Sequence, residues 1–314
     1  MTRYLLLLLA FLAVSCIKKK DSASVPEGYP YPIATTVDMI GDVTREIVGD
    51  KAEVTNIIGE GIDPHVYKPT KGDIDTLQSA SLILYNGVHL EGKMGEVLEN
   101  RTNAGTPVTA VAEGLSNYQY LENDPHLWMD VSAWSLVAKN IQTSLADFDP
   151  KNKAYYEERL TAYQATLVEL GAYARKSLAS IPESQRVLVT AHDAFSYLGR
   201  AYDLEVRGIQ GISTESEAGI QEINKLVSYL VDNKIPAVFV ESSVSEKSVK
   251  ALIEGAAARG HKVVIGGELF SDAMGEAGTY EGTYLGMIDH NVTLITRALG
   301  GKAPEKGFQG KLSH

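Results

Sequence analysis

Short apolar runs and longer amphipathic runs alternate along most of the chain. Four apolar runs in the first half predict strands, at residues 32–37, 52–58, 81–87 and 107–111. Four more predict strands in the second half, at residues 186–192, 205–210, 237–243 and 262–269. Strands that alternate with helices are typical of βαβ units, which build mostly parallel sheets. The pattern therefore predicts an α/β fold with two lobes, each a mostly parallel four-stranded sheet flanked by helices.

One long amphipathic stretch interrupts this alternation between the two halves. Its apolar side chains recur at spacings of three and four, as on one face of a helix. They are Leu160, Tyr163, Leu167, Leu170, Ala174 and Leu178. Asp149 is placed to cap this helix, Pro150 suits its first turn and Pro182 ends it. We interpret residues 149–181 as a rigid helix that joins the lobes; a single long core helix is the alternative.

The length of the chain agrees with two lobes. A chain of 314 residues is longer than those that usually fold around a single hydrophobic core, so two domains are expected. The predicted N-terminal lobe is residues 30–148 and the predicted C-terminal lobe is residues 182–314. Within the C-terminal lobe, Thr214 and Glu217 have the spacing of a capping box for the next helix.

The N-terminus has the pattern of an export signal. Arg3 precedes an apolar run that ends at Val14, and this run is shorter than the ~20 residues that span a bilayer. Cys16 is the only cysteine, so it has no intramolecular disulfide partner. Small residues lead into Cys16 as in a bacterial lipobox, except that Ala13 stands where Leu is commoner. We predict a signal peptide at residues 1–15 and a lipidated tether at residues 16–29; plain cleavage or an uncleaved anchor are alternatives.

The net charge narrows the range of partners. Lys and Arg total 29 and Asp and Glu total 40, which gives a formal charge of −11. An acidic chain is a poor partner for nucleic acid or for an anionic membrane surface. A receptor for a cation is compatible with this charge, as is any acidic soluble protein.

The tripeptide Asp-Pro-His occurs twice, at residues 63–65 and 124–126, in a chain with only seven histidines. Proline fixes its own φ and keeps the preceding residue extended, so each histidine follows a stiff, non-helical segment. Two ordinary surface turns that end in histidine are the alternative. The repeated tripeptide favours the interpretation that both imidazoles are held in a fixed position to bind a ligand.

Four polar side chains follow predicted strands, where ligands bind in doubly wound sheets. They are His65, His126, His192 and Asp272. Three imidazoles and a carboxylate suit Zn²⁺ and are acceptable for Mn²⁺ or Fe²⁺. Taken singly, His192 is explained equally well by a hydrogen bond to backbone, and Asp272 is explained better by a turn cap; only their coincidence on one edge favours a metal site. His89 and Glu241 also follow strands, and their roles are left open.

The segments around these residues resemble a known family. The motifs GIDPHVYKPTKGD, DPHLWMDVSAW, TAHDAFSYLGRAY and GGELFSDAMGEAGT occur in the order found in TroA-like zinc/manganese-binding receptor lipoproteins of bacterial metal ABC importers. The resemblance covers residues 29–300. It implies two α/β lobes joined by one rigid helix, with a metal held between them by His65, His126, His192 and Asp272.

The resemblance also narrows the expected metal. Manganese receptors of this family often carry Glu at the third ligand position, where this chain has His192. The segment EGLSNYQYLEN is short and has no histidine, unlike the His/Asp-rich loop of dedicated zinc receptors. His192 is therefore similar to the zinc or dual zinc/manganese kind, and the short segment resembles the dual-specificity branch.

The expected function is capture of Zn²⁺ or Mn²⁺, with Fe²⁺ possible, and delivery to an ABC permease and its ATPase. We expect a monomer with no enzymatic activity, held by its lipid anchor outside the cytoplasmic membrane or in the periplasm. A metal-dependent hydrolase is the first alternative, but four protein ligands leave little room for a reactive water, and there is no His-Glu-x-x-His run. A surface adhesin that shares the fold is the second.

Overall fold

The computed structural model describes residues 28–313. The predicted signal peptide, Cys16 and most of the predicted tether lie outside this range, so those predictions stay predictions. Within the described range, no helix is both long and apolar enough to cross a membrane.

The N-terminal lobe is built on one four-stranded parallel sheet. Its strands are β1 (Tyr31–Thr35), β2 (Ala52–Asn56), β3 (Leu82–Tyr85) and β4 (Val108–Ala110), in the order β2-β1-β3-β4. Its helices are α1 (Asp38–Val48), α2 (Lys71–Ser79), α3 (Gly95–Asn103) and α4 (Val131–Phe148). All four predicted strands of this half are confirmed. Because the strands are parallel, the loops after β2 and β4 leave the same edge of the sheet.

A single long helix, α5 (Lys153–Leu178), connects the two halves. Its 26 residues correspond to about 39 Å at 1.5 Å per residue. The helix follows a 3₁₀ turn at Pro150–Asn152, and Asp149 does not cap it as expected. The Asp149 carboxylate instead accepts hydrogen bonds from the hydroxyls of Tyr29 and Tyr156.

The C-terminal lobe also contains four parallel strands, but they pair two by two. The pairs are β5 (Val187–Thr190) with β6 (Glu205–Gly208), and β7 (Ala237–Glu241) with β8 (Val264–Leu269). The lobe's helices are α6 (Ser196–Tyr202), α7 (Ile220–Asn233), α8 (Lys247–Ala258) and α9 (Tyr284–Ala298). β5 lies beside β7 without ladder hydrogen bonds, so the predicted single four-stranded sheet is divided. The register of β7 on β8 shifts at Phe239, which pairs with Gly267 and leaves Gly266 as a bulge; bulges bend a strand and disturb its pairing.

Two apolar cores lie within the described residues. The larger one extends from the N-terminal sheet across α4 and α5 to α6 and α9. The smaller one lies between strands β5 and β7 and helices α7 and α8, with residues that flank β6 and β8. The predicted apolar face of α5 is buried in the larger core, so α5 both connects the halves and packs as a core helix. This continuous packing limits how far the halves can move independently around α5.

Candidate metal centre

The two Asp-Pro-His segments form the same small turn. His65 lies in the loop after β2 and donates its backbone N–H to Asp63 Oδ1 at 2.9 Å. His126 lies after β4 and donates its backbone N–H to Asp124 Oδ1 at 3.0 Å. An aspartate that accepts from the backbone two residues on is a favoured turn motif. The aspartate therefore fixes the backbone at each histidine, a role that the proline argument alone did not reveal.

The other two side chains come from the C-terminal lobe. His192 lies two residues after β5, and its backbone N–H donates to Glu241 Oε1 at 2.8 Å. Glu241 is the last residue of β7. Asp272 lies three residues after the end of β8. Each side chain thus leaves the carboxyl end of a strand, as the strand-end rule predicts.

The structure brings all four predicted residues together. Their candidate ligand atoms lie within 4.8 Å of one another. His65 Nε2 is 3.3 Å from His126 Nε2, and His126 Nε2 is 3.3 Å from Asp272 Oδ1. Asp272 Oδ2 is 3.2 Å from His192 Nε2 and 3.8 Å from His65 Nε2. The three Nε2 atoms therefore surround one carboxylate.

Carboxylates behind two of the rings determine which nitrogen faces the centre. His126 Nδ1 is 2.7 Å from Asp124 Oδ1, and His192 Nδ1 is 2.5 Å from Glu241 Oε2. A carboxylate accepts a hydrogen bond from Nδ1–H and so keeps the proton on that nitrogen, which leaves the Nε2 lone pair for a metal. Glu241, left open by the sequence, thus orients His192. His65 has no such partner among the described residues.

Burial and charge set the protonation of the centre. Exposure is 5% for His65, 0% for His126 and His192, and 1% for Asp272. Burial lowers the pKa of His65. Burial also opposes charge on His126, but Asp124 and Asp272 outweigh it and raise its pKa to about 8. For His192, Glu241 and Asp272 likewise outweigh burial and raise the pKa well above its ordinary value.

Asp272 shows the opposite shift. Burial alone raises the pKa of a carboxyl, but His192 and His126 outweigh it and hold the pKa of Asp272 well below its usual range. The centre therefore holds an ionised carboxylate that is shielded from water and faces basic nitrogens. Such an arrangement requires a cation, either a proton or a metal ion.

The donor set fits a divalent metal ion. Both Asp272 oxygens and His192 Nε2 are buried without a hydrogen-bond partner that satisfies normal geometry. Donors about 2.0–2.1 Å from a tetrahedral ion lie about 3.3–3.4 Å apart. Three of the four contacts above measure 3.2–3.3 Å. The cluster thus has the composition of a zinc site, with several neighbouring donors at the separation that a single bound ion requires, and the second Asp272 oxygen supplies a further donor.

Two carboxylates of α1 hold the loop that carries Asp272. Asp38 Oδ2 accepts the backbone N–H of Met274 at 2.9 Å, and Asp42 Oδ2 accepts that of Tyr284 at 2.9 Å. Burial raises the pKa of each carboxyl to about 6. Neither contact is predictable from local sequence patterns, because the partners are more than 230 positions apart.

Other polar residues singled out in the sequence lie elsewhere. His89 lines a shallow surface pocket with Glu113 and Tyr120 and is not part of the cluster. The capping box predicted at Thr214 is wrong, because α7 begins at Ile220 and no side chain caps it. The Thr214 hydroxyl instead donates to Asp63 Oδ2 at 2.5 Å, beside the turn that carries His65.

The fold and the centre define a class of α/β binding proteins in which strand-end loops from two lobes enclose one small buried site. The family model "Zinc-uptake complex component A periplasmic" (ZnuA) matches residues 33–298. The chain therefore belongs to the ZnuA family, which confirms the resemblance found in its sequence motifs.

Individual relatives match over most of their length. The chain is 46% identical over 285 residues to the zinc-binding protein TroA of Treponema pallidum, covering 89% of this chain and 91% of TroA. It is 42% identical over 285 residues to the manganese-binding lipoprotein MntA of Bacillus subtilis, covering 89% and 93%. The solved structure of the Treponema pallidum periplasmic zinc binding protein TroA superimposes with a TM-score of 0.83, over 87% of this chain and 99% of that one.

Proposed function

We propose that the protein is an extracytoplasmic receptor that captures Zn²⁺ or Mn²⁺ and delivers it to an ABC importer. The observation that carries this proposal is the convergence of three Nε2 atoms on the buried, ionised Asp272. In this proposal His65, His126, His192 and Asp272 bind the transported ion directly. Membership of the ZnuA family supports the transport role.

We infer that Zn²⁺ is the preferred ion and that Mn²⁺ is a second substrate. Three imidazoles and one carboxylate suit Zn²⁺, whereas Mn²⁺ favours more oxygen donors. The relatives include one named for zinc and one named for manganese. Binding of Asp272 through both oxygens is the route by which the same centre can accept Mn²⁺ or Fe²⁺.

The proposed partners are an ABC permease and its ATPase, and the proposed location is outside the cytoplasmic membrane. Relatives named as lipoproteins support an anchor at Cys16, which keeps the receptor close to the permease. We propose lobes at residues 30–148 and 182–314, joined by the helix region 149–181, and a monomeric receptor.

No described feature favours the alternative functions. A hydrolytic zinc site keeps one position open for water, whereas four protein side chains already surround this centre. The relatives are named for metal binding and transport, and none of those cited is named as an enzyme. We therefore propose that the ion is cargo and takes no part in a reaction.

Metal analysis and titration test the proposal. Protein purified without chelator is expected to contain about one divalent ion per chain, and the metal-free protein is expected to bind Zn²⁺ more tightly than Mn²⁺ in a competition titration. Loss of binding in a folded Asp272→Ala variant assigns the ion to this centre. Undiminished binding by that variant would rule the centre out.

A further inference from the structure

The two Asp-Pro-His segments hold their histidines in different ways. Asp124 Oδ1 contacts both the backbone N–H and the ring Nδ1 of His126, so one carboxylate fixes that histidine from within its own lobe. Asp63 Oδ1 accepts only the backbone N–H of His65. Asp63 Oδ2 accepts the hydroxyl of Thr214, which lies 151 positions later in the C-terminal lobe.

Thr214 belongs to a segment that starts beside His192. This segment, residues 209–219, connects β6 to α7. The backbone N–H of Gln210 donates to the Ala191 carbonyl, and the N–H of Asp193 donates to the Gly211 carbonyl. The segment therefore runs from the strand end that carries His192 to the turn that carries His65.

A second contact lies next to Thr214. Lys93 Nζ is 2.8 Å from Glu215 Oε1, and both side chains are about half exposed. An ion pair exposed to this extent contributes at most about 1 kcal/mol. It joins the same two lobes at the adjacent position, so it supports the Thr214 contact without replacing it.

His65 depends on this contact more than the other ligands do. It is the most exposed of the four at 5%, and no described residue forms a hydrogen bond to its Nδ1. A metal-binding imidazole usually takes its orientation from a partner behind the ring. For His65 the nearest such restraint is Asp63, which is itself held by Thr214.

We propose that Thr214 is a positioning residue for His65, and that the Thr214–Asp63 hydrogen bond controls how fast the metal leaves the centre. When this bond breaks, the His65 turn detaches from the C-terminal lobe. The rings of His126 and His192 keep their carboxylate partners, and the loop that carries Asp272 keeps its hydrogen bond to Asp38. His65 is then the first ligand to be released and the last to close. This inference rests on the proposed metal-binding function.

The test measures the rate of Zn²⁺ dissociation from the full chain after mixing with excess fluorescent chelator. Thr214→Val keeps the shape of the side chain but removes the hydroxyl, and it is expected to speed dissociation by about three- to tenfold. Thr214→Ser keeps the hydroxyl and is expected to release Zn²⁺ at the wild-type rate. Thr161→Val is the matched control, because the Thr161 hydroxyl bonds only to the Glu157 carbonyl within α5.

A double variant separates positioning from a general structural effect. In a His65→Ala background, Thr214→Val is expected to cause no further acceleration, because its target is already gone. The same acceleration in both backgrounds would overturn the proposal. So would a wild-type rate in the Thr214→Val single variant when the wild-type protein binds Zn²⁺ normally. Failure of the wild-type protein to bind Zn²⁺ would instead refute the proposed function, and this inference with it.

The Lys93–Glu215 ion pair allows a second, independent test, which can be used if Thr214→Val does not fold. Glu215→Lys places two cations together and is expected to speed dissociation. Lys93→Glu combined with Glu215→Lys restores an ion pair and is expected to return the rate towards the wild-type value. An unchanged rate in Glu215→Lys would show that the contact of residues 209–219 with the N-terminal lobe does not control release, and would overturn the proposal.

Discussion

The indole Nε1 of Trp128 donates a hydrogen bond of 2.8 Å to the backbone carbonyl oxygen of Ser271. Trp128 lies two residues after His126, and Ser271 directly precedes Asp272. Both partners are fully buried. One contact therefore joins the segments that carry a candidate ligand of the N-terminal lobe and one of the C-terminal lobe.

Removal of this hydrogen bond is expected to weaken metal binding. Trp128→Phe keeps a large aromatic ring but leaves the Ser271 carbonyl without its partner, at a cost of about 1–3 kcal/mol. Because the loop then positions Asp272 less well, we expect about tenfold weaker Zn²⁺ affinity in a competition titration. Trp134→Phe is the control, since Trp134 is also fully buried but donates no hydrogen bond to this loop within the described chain. An equal loss in both variants would attribute the effect to ring size.

Substitution of the imidazoles tests the ligand set directly. Structural zinc sites with four ligands bind with about 10–16 kcal/mol of free energy, which corresponds to about 3 kcal/mol for each ligand. Alanine at His65, His126 or His192 is therefore expected to reduce Zn²⁺ affinity by about 100-fold or more. His261→Gln serves as a control, because His261 bonds to the Ile235 carbonyl and lies outside the cluster. Wild-type affinity in any of the three alanine variants would remove that histidine from the site.

Glu241 is expected to tune His192 without binding the metal. Glu241→Gln keeps an oxygen that can accept the His192 backbone N–H but removes the charge that faces Nδ1. Loss of such a partner typically costs 10- to 100-fold in metal affinity, so we expect a reduction of about tenfold. The exposed Glu254→Gln on α8 is expected to have no effect. Isothermal titration of Zn²⁺ into both variants distinguishes them.

A residue of the centre can be predicted from the sequence when the pattern that identifies it lies within a few neighbouring positions. His65 and His126 share a tripeptide, and all four clustered residues follow predicted strands, but His89 and Glu241 follow strands too, so the strand-end rule selects the four only together with their donor types. Glu241 was left open, because an acid at a strand end is explained equally well by helix capping. Its contact with His192, which lies 49 positions away in the sequence, is visible only in the tertiary structure.

The wrong capping predictions at Thr214 and Asp149 also arise because the true partners are distant in the sequence. Thr214 matches a capping pattern over four residues, yet its partner is Asp63 in the other lobe. Asp149 was expected to cap α5, and it instead accepts tyrosine hydroxyls. Short polar side chains satisfy either local or distant groups, and local spacing cannot decide between them. The four strands predicted for the C-terminal lobe form, but hydrophobic patterning does not reveal that they pair two by two or that β8 carries a bulge at Gly266.

Metal affinity is expected to rise with pH up to about 8. Unperturbed imidazoles titrate near 6.5, but the pKa of His126 is raised to about 8 and that of His192 is raised as well. The metal-free centre therefore carries protons at pH 7, and an incoming ion must displace them. Affinity should fall by up to about tenfold per pH unit for each proton displaced below pH 8. Calorimetry in buffers of different ionisation enthalpy measures the released protons, and a pH-independent affinity between 6 and 8 would contradict this assignment.

The buried Asp38 is expected to make the stability of the metal-free protein depend on pH. Burial raises its pKa from 3.8 to about 6, so the folded state binds the proton more tightly than the unfolded chain does. The stabilising contribution of the protonated carboxyl is complete below pH 3.8 and is lost as the pH rises to about 6. Above that pH the ionised carboxylate costs on the order of 1–3 kcal/mol. Asp38→Asn retains an acceptor for the Met274 N–H and is therefore expected to melt at a higher temperature than wild type at pH 7.5.

This advantage of Asp38→Asn should shrink towards zero near pH 4, where the wild-type carboxyl is protonated in the folded state. The control is Asp147→Asn, an exposed position on α4, for which the melting temperature should match wild type at both pH values. Thermal unfolding in the presence of chelator gives the comparison without a contribution from bound metal. If Asp38→Asn is less stable than wild type at pH 7.5, the charge on Asp38 contributes more through the Met274 contact than its burial costs. That result would contradict a net cost of burying the ionised Asp38 carboxylate.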